Sequence, residues 1–324
     1  MDNSISKNKL FTAACISLIV TAMTFAVRAG ILVELGDSFN LTNSQLGWVN
    51  LMAFWGFPVA TIFGGFLYNY LGPRTLLILA FFAHLSGLIW TIFSGGFISL
   101  MLSSFLIGFA NGSVEAACNP LIADMYSTNR TTMLNKFHVW FPGGIVIGAL
   151  MVTFMSTEII DVYLYFTNFS VVNPFFLDWQ YKIAIMIIPT LIYGSMFFNL
   201  KFPNSENLNI NTNENISALF DGGKLFDLND DGSLNLFKIK IPLFILIAIC
   251  MTLTATTELG TQQWLTPLLE KSGASPMLIL ALITGIMALG RYFAGPIIHK
   301  FNPIGVLFLS AIITTFAVFL MSQA

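Results

Sequence analysis

GGFLYNYLGPRTLLIL at 64–79 and AGPIIHKFNPIGVLFL at 294–309 lie 230 residues apart and read as two copies of one segment. Gly65 falls on Gly295, Pro73 on Pro303 and Leu77 on Leu307. The same shift lays the first long apolar run, starting near residue 10, on one that starts near 241. One offset holding in two separate places indicates a parallel internal repeat whose unit is six helices. The second copy reaches only its third helix, so this reading expects the native product to run about 80 to 100 residues further.

Working outward, a hydrocarbon core about 30 Å thick takes about 20 apolar residues of helix. Windows of that kind fall near 10–35, 45–70, 75–94, 97–122, 134–157, 181–200, 241–267, 276–299 and 304–322, nine spans in all. Thr42 with Gln45 forms a capping box that opens the second span, and Gly72-Pro73 closes it. Composition agrees: 56% of the 324 residues are hydrophobic and 9% charged, where a soluble domain carries roughly 25% charged residues. A water-soluble fold is excluded. A net charge of −2 also argues against a nucleic-acid binder, which needs a basic face for phosphates. Cys15, Cys118 and Cys250 sit inside apolar runs and offer neither a disulfide framework nor a CxxC metal site. MDNSISKNKL leads into a long apolar stretch with no small-residue cleavage site, so it reads as a retained first helix.

Lys and Arg resist translocation. With the N-terminus in the cytoplasm, the inner segments hold Lys7, Lys9, Arg74, Arg130, Lys136, Lys201, Lys224, Lys238, Lys240 and Lys300, and the outer loops hold Lys182 and Lys271. That imbalance orients the chain. Residues 201–240 are rich in Asn, Asp and Ser and read as a cytoplasmic linker between a half at 1–200 and the start of a second at 241–324. Within the linker, Asp227, Asn229, Asp231 and Gly232 take positions 1, 3, 5 and 6 of a calcium loop. Position 12, where a bidentate Glu belongs, is Lys238, so a solvated linker is the expectation.

Ionisable groups inside a bilayer cost about 2.5–3.5 kcal/mol each and are functional candidates by default. Four fall within spans: Arg28, Glu115, Glu258 and Arg291. Arg28 and Glu258 are equivalent under the repeat, which suggests an ion pair across a central cavity, serving coupling or structure. Arg291, near the cytoplasmic third of its helix, reads as a side chain snorkelling to the surface. Asn111, Glu115 and Asn119 stand four residues apart on one helical face. Two amides around a carboxylate suit polyol recognition and a proton that is held or released; interhelical hydrogen bonding is the competing role. His138 stands near the start of the fifth span beside Pro142-Gly143-Gly144, placed either to meet a substrate hydroxyl and pass a proton or simply to sit at the interface. Gln262, Gln263 and Trp264 follow Glu258 by one turn, offering hydrogen bonds and a ring face to a sugar. An interfacial aromatic belt is the alternative for Trp264. HExxH, GxSxG and P-loop motifs are missing from the sequence, so no enzyme, catalytic residue, metal or cofactor is expected.

GGFLYNYLGPR at 64–74, with Gly65, Gly72 and Arg74 in register, resembles the loop between helices two and three of the major facilitator superfamily; Asn69 stands where an Asp is usual. NGSVEAACNPL (111–121), FNLTNSQ (39–45) and LNKFH (134–138) resemble its fucose–proton-symporter-like branch of sugar permeases. The resemblance implies that 64–74 acts in gating and that Glu115 takes the place of a carboxylate used in proton coupling and substrate binding. It also puts His138 where a substrate-facing Gln stands in that branch. Gly30 falls where the fucose carrier has a membrane-embedded Asp, and Arg28 lies two residues earlier. The expectation is an all-α polytopic membrane protein, a major-facilitator-type helical bundle, monomeric and multi-pass in the cell (inner) membrane with a cytoplasmic N-terminus. It would move a small polar solute, first of all a sugar, by alternating access with proton symport. A non-transporting receptor or scaffold, or an exporter of drugs or sugar acids, are the other readings.

Overall fold

The computed structural model describes residues 6–155, 178–203, 256–269, 275–300 and 303–321, together with 227–228, 234–235, 246, 249–250 and 253. Helices dominate because a bilayer leaves no water to satisfy backbone N–H and C=O groups. In chain order they are α1 (Lys7–Phe39), α2 (Asn43–Ile92), α3 (Phe97–Met125), α4 (Arg130–His138), α5 (Trp140–Phe154), α6 (Asp178–Ala184) and α7 (Ile187–Asn199). A π-helical turn at Thr256–Gly260 leads into α8 (Thr261–Gln263) and α9 (Leu265–Leu269), followed by α10 (Pro276–Lys300) and α11 (Pro303–Met321). Two-residue strands, Asp227–Leu228 and Leu234–Asn235, pair antiparallel. The rest of the linker, including Asn229, Asp231, Gly232 and Lys238, lies outside the described residues.

Seven segments among the described residues are long and apolar enough to cross a membrane: Lys7–Phe39, Asn43–Gly65, Tyr70–Ile92, Phe97–Met125, Arg130–Phe154, Trp179–Asn199 and Pro276–Phe293. They coincide with the first six expected spans and the eighth. Helix α11 follows the ninth. The seventh expected span falls largely outside the described residues, and its described end is not one continuous helix. Thr257 and Thr261 hydroxyls donate back to the carbonyls of Leu253 and Thr257, a pattern that bends helices. Pro267 has no N–H for the Gln263 carbonyl.

Local signals explain the ends. Asn40 closes α1 in the left-handed region (φ 49°, ψ 47°), a conformation Asn tolerates better than most residues. The Thr42 hydroxyl accepts from the Gln45 N–H while the Gln45 side chain accepts from the Thr42 N–H, completing the capping box. The second and third spans join as one helix kinked at Gly72 (φ 72°, ψ 164°), a nearly glycine-only backbone that costs a residue with Cβ about 1–3 kcal/mol. Gly72→Ala should therefore lower the melting temperature in detergent by a few degrees; an unchanged melt would mean that the kink relaxes freely.

Helices α2 and α3 pack closest, because Gly56, Gly108 and Gly112 let backbone meet backbone: a Cβ on Gly108 would collide with the Ala53 carbonyl, and one on Gly112 with that of Phe57. Apolar side chains form two clusters stacked along the bundle. One gathers Leu10, Leu18, Leu77, Leu121, Phe137 and Phe197 toward the Lys7 end. The other gathers Ile31, Leu32, Leu88, Leu100, Trp179 and Met186 toward the opposite end, where the ion pair of Lys182 with Glu34 lies. Met277, Leu280 and Ala281 of α10 join the second cluster beside Val152 of α5, so the start of the second half docks on the first through apolar packing.

Candidate functional site

The polar stripe of α3 divides between two environments. Asn111 is buried and sits at the junction of the two apolar clusters, between Ile107 and Val114. Its Nδ2 donates to Thr24 Oγ1 at 2.9 Å, and the Thr24 hydroxyl donates to the Thr21 carbonyl at 2.6 Å. Oδ1 therefore accepts, from His84 Nε2 at 2.7 Å. That places the ring proton on Nε2 and leaves Nδ1 to accept from the Tyr193 hydroxyl, also at 2.7 Å. One directed chain, Tyr193 to His84 to Asn111 to Thr24, ties α7, α2, α3 and α1 together. Asn111 is committed to this chain inside the first half. Neither His84 nor Tyr193 was singled out from the sequence, because each lies in an otherwise apolar run.

Glu115 and Asn119 lie one and two turns along and are only partly buried. Asn119 Nδ2 donates to Glu115 Oε2 at 3.4 Å, and the Asn119 Oδ1 has no partner. His138 stands at the C-terminal end of α4 and Arg291 on α10. Arg291 is exposed.

The other sequence candidates are placed differently. Gln263 is buried, and its Nε2 donates to the Phe25 carbonyl at 2.9 Å. Thr266 Oγ1 donates to the Ala29 carbonyl at 2.8 Å. These bonds dock the 261–269 segment along α1. Gln263 Oε1 is left without a partner. Gln262 is buried beside it. Trp264 packs against the second apolar cluster, with its ring 3.8 Å from where a Cβ on Gly47 would be. Glu258 lies half-exposed in the π-helical turn. It forms no ion pair with Arg28, because Arg28 lines a narrow cavity inside the first half, with Leu88, Leu100 and Ile183 among its other walls. Lys182 with Glu34 is the one ion pair within 4.0 Å among the described residues.

At the Lys7 end, Arg74 Nη2 donates to the Phe198 carbonyl at 3.1 Å, Arg130 Nε to the Ala123 carbonyl at 3.1 Å, and Lys7 Nζ to the Met125 carbonyl at 2.8 Å. The first clips the loop between the second and third spans to α7, and the other two tie α4 and α1 to the end of α3. Burial, with the neighbouring Asp124 charge, pushes the Tyr68 phenol well above its usual range. Gly65 is open to its surroundings and Gly72 forms the kink. The Asn69 side chain is outside the described residues. Among the described residues no group of three or more His, Cys, Asp or Glu could hold a metal ion.

Known proteins place this architecture. The D-xylose–proton symporter superposes with a TM-score of 0.65 at 16% identity, covering 90% of this chain and 69% of that one. A bacterial homologue of the human lysosomal transporter Spinster, in an inward-facing and unoccupied conformation, gives 0.63 at 15% identity over 92% and 64%. At these identities the likeness is one of fold. A facilitated glucose transporter, member 10 of solute carrier family 2 from Danio rerio, is 25% identical over 182 residues, 56% of this chain. The chain spans about a third of that relative's length. Residues 14–324 match the sequence pattern of the Major Facilitator Superfamily, and the chain belongs to that family.

Proposed function

We propose that the protein is a secondary active transporter of a small polar solute, first of all a sugar, working by alternating access with proton symport. The observation that carries this reading is Glu115: a partly buried carboxylate in the middle of a membrane helix, bonded to Asn119. A carboxylate there can exchange a proton against a cation as the halves move, while Asn119 and His138 meet hydroxyls. The relatives support the solute class, being named as transporters of xylose and glucose. Gln262, Gln263 and Trp264 serve in this reading as the hinge of the second half on α1, with the spare Gln263 Oε1 available to a hydroxyl. Glu258, half-exposed on the π-helical turn, is the second carboxylate available for coupling.

Counterflow in proteoliposomes tests the proposal. Trans-loaded monosaccharide should accelerate uptake of labelled sugar, and an inward proton gradient should concentrate it. Counterflow absent for every solute, in vesicles shown to hold folded protein, would leave a receptor or scaffold as the function. The exposed Arg291 favours one variant, a sugar acid as solute, and a uronic acid arm separates it from neutral sugars. If Arg291 and Glu115 act on one another, their effects on transport will be non-additive: Arg291→Gln in a Glu115→Gln background should cost far less than alone. Additive losses would mean that the two residues work apart.

A further inference from the structure

We propose that Arg28 holds a monovalent halide in a small cavity inside the first half of the bundle. This goes beyond the transport reading and does not depend on the identity of the solute.

The cavity measures about 20 Å³ and is walled by Thr24, Thr91, Ser104 and apolar side chains including Leu88 and Ile107, with Arg28 lining it from α1. Arg28 is 7% exposed and makes no hydrogen bond or ion pair with any described residue. Glu34, further along α1, pairs with Lys182 through Oε1, leaves Oε2 without a partner and does not line the cavity. A guanidinium is charged at any ordinary pH and carries five donors, and an uncompensated charge in a low-dielectric interior is costly. Among the described residues a counter-charge is therefore the missing element.

The donor set indicates its sign. Thr24 and Thr91 spend their hydroxyl protons on the carbonyls of Thr21 and Gly87. Ser104 makes no hydrogen bond among the described residues and keeps its proton for the cavity. The lining therefore presents a cation, one free O–H and no carboxylate, which suits an anion and rejects a metal ion. Size narrows the class further, since a single water needs about 10–15 Å³. One monoatomic ion fits, whereas a sugar, a sulfate or a phosphate does not. Apolar walls favour the anion that is least costly to dehydrate, so chloride, bromide and iodide should bind ahead of fluoride. A water molecule would answer the N–H groups but leave the charge uncompensated.

The test uses the purified full-length protein in detergent at constant ionic strength, with sodium gluconate exchanged stepwise for sodium bromide, chloride or fluoride. Ligand that binds only the folded state raises the melting temperature saturably. The expected result is such a rise with bromide and chloride, little with fluoride, and none with gluconate or sulfate. Ser104→Ala should raise the bromide midpoint about tenfold, as expected for losing one hydrogen bond to a charged group. Arg28→Met should abolish the response; if that variant does not fold, Ser104→Ala carries the test by itself. Crystals soaked in bromide should show an anomalous peak against the Arg28 guanidinium. Equal melting in gluconate and bromide, or a bromide midpoint unmoved by Ser104→Ala, would overturn the proposal and mean that the cavity holds water only. Because the readout is melting and not uptake, this result stands or falls separately from the transport function.

Discussion

Glu115→Gln is expected to abolish proton-driven accumulation of solute while leaving counterflow partly intact. Glutamine keeps the shape and one acceptor of the carboxylate, so Asn119 retains its partner, and it mimics the protonated form permanently. A carrier locked in that form can still exchange solute for solute, but it has no proton to load and release. Losing a coupling group of this kind typically costs orders of magnitude in the driven rate, where general acid–base groups contribute about 10²–10⁴-fold. Comparing uptake under an imposed proton gradient with counterflow in the same vesicles reads the two modes separately. Accumulation that survives unchanged would make Glu115 structural and move coupling elsewhere, with Glu258 the next residue to test.

The second large effect is on stability and comes from His84→Leu. The imidazole is completely buried between two apolar clusters and bonded on both nitrogens. Leucine would strand the Tyr193 hydroxyl and the Asn111 carbonyl together, and each buried unsatisfied group costs about 1–3 kcal/mol. Single hydrogen bonds in membrane proteins average nearer 0.6 kcal/mol, but here the links are consecutive. A loss of about 2–4 kcal/mol is expected, seen as a sharply lower melting temperature. Tyr193→Phe removes only the outermost donor and should cost about 1 kcal/mol. If the two variants melt alike, the chain of bonds is not cooperative, and Asn111 becomes available again as a solute ligand.

The membrane spans were legible because lipid imposes a simple rule, that an apolar stretch of the right length must close its own hydrogen bonds. The Thr42–Gln45 box and the Gly72-Pro73 break were legible for a similar reason, since each is decided within four residues. The breaks in the described end of the seventh span were not legible, because a hydropathy window averages over Pro267 and the Thr256–Gly260 turn without registering either. The site was half legible. Spacing put Asn111, Glu115 and Asn119 on one face of α3, but helical periodicity refers only to the helix's own axis. It carries no information on which neighbour stands opposite each turn.

Sequence alone determined that this chain is a helical membrane bundle, since hydropathy is a property of the chain itself. Only the tertiary structure decided where its charges go. Arg28 and Glu258 are equivalent under the repeat, yet packing turns Arg28 into a cavity of the first half. Asn111 shares a helical face with Glu115, yet packing commits it to His84 and Thr24. The physical reason is that burial in a bilayer is set by the chain's own apolarity, whereas the pairing of polar groups depends on rotation and approach of helices distant in sequence. Close backbone packing at Gly56, Gly108 and Gly112 and apolar packing around Met277 fix those rotations.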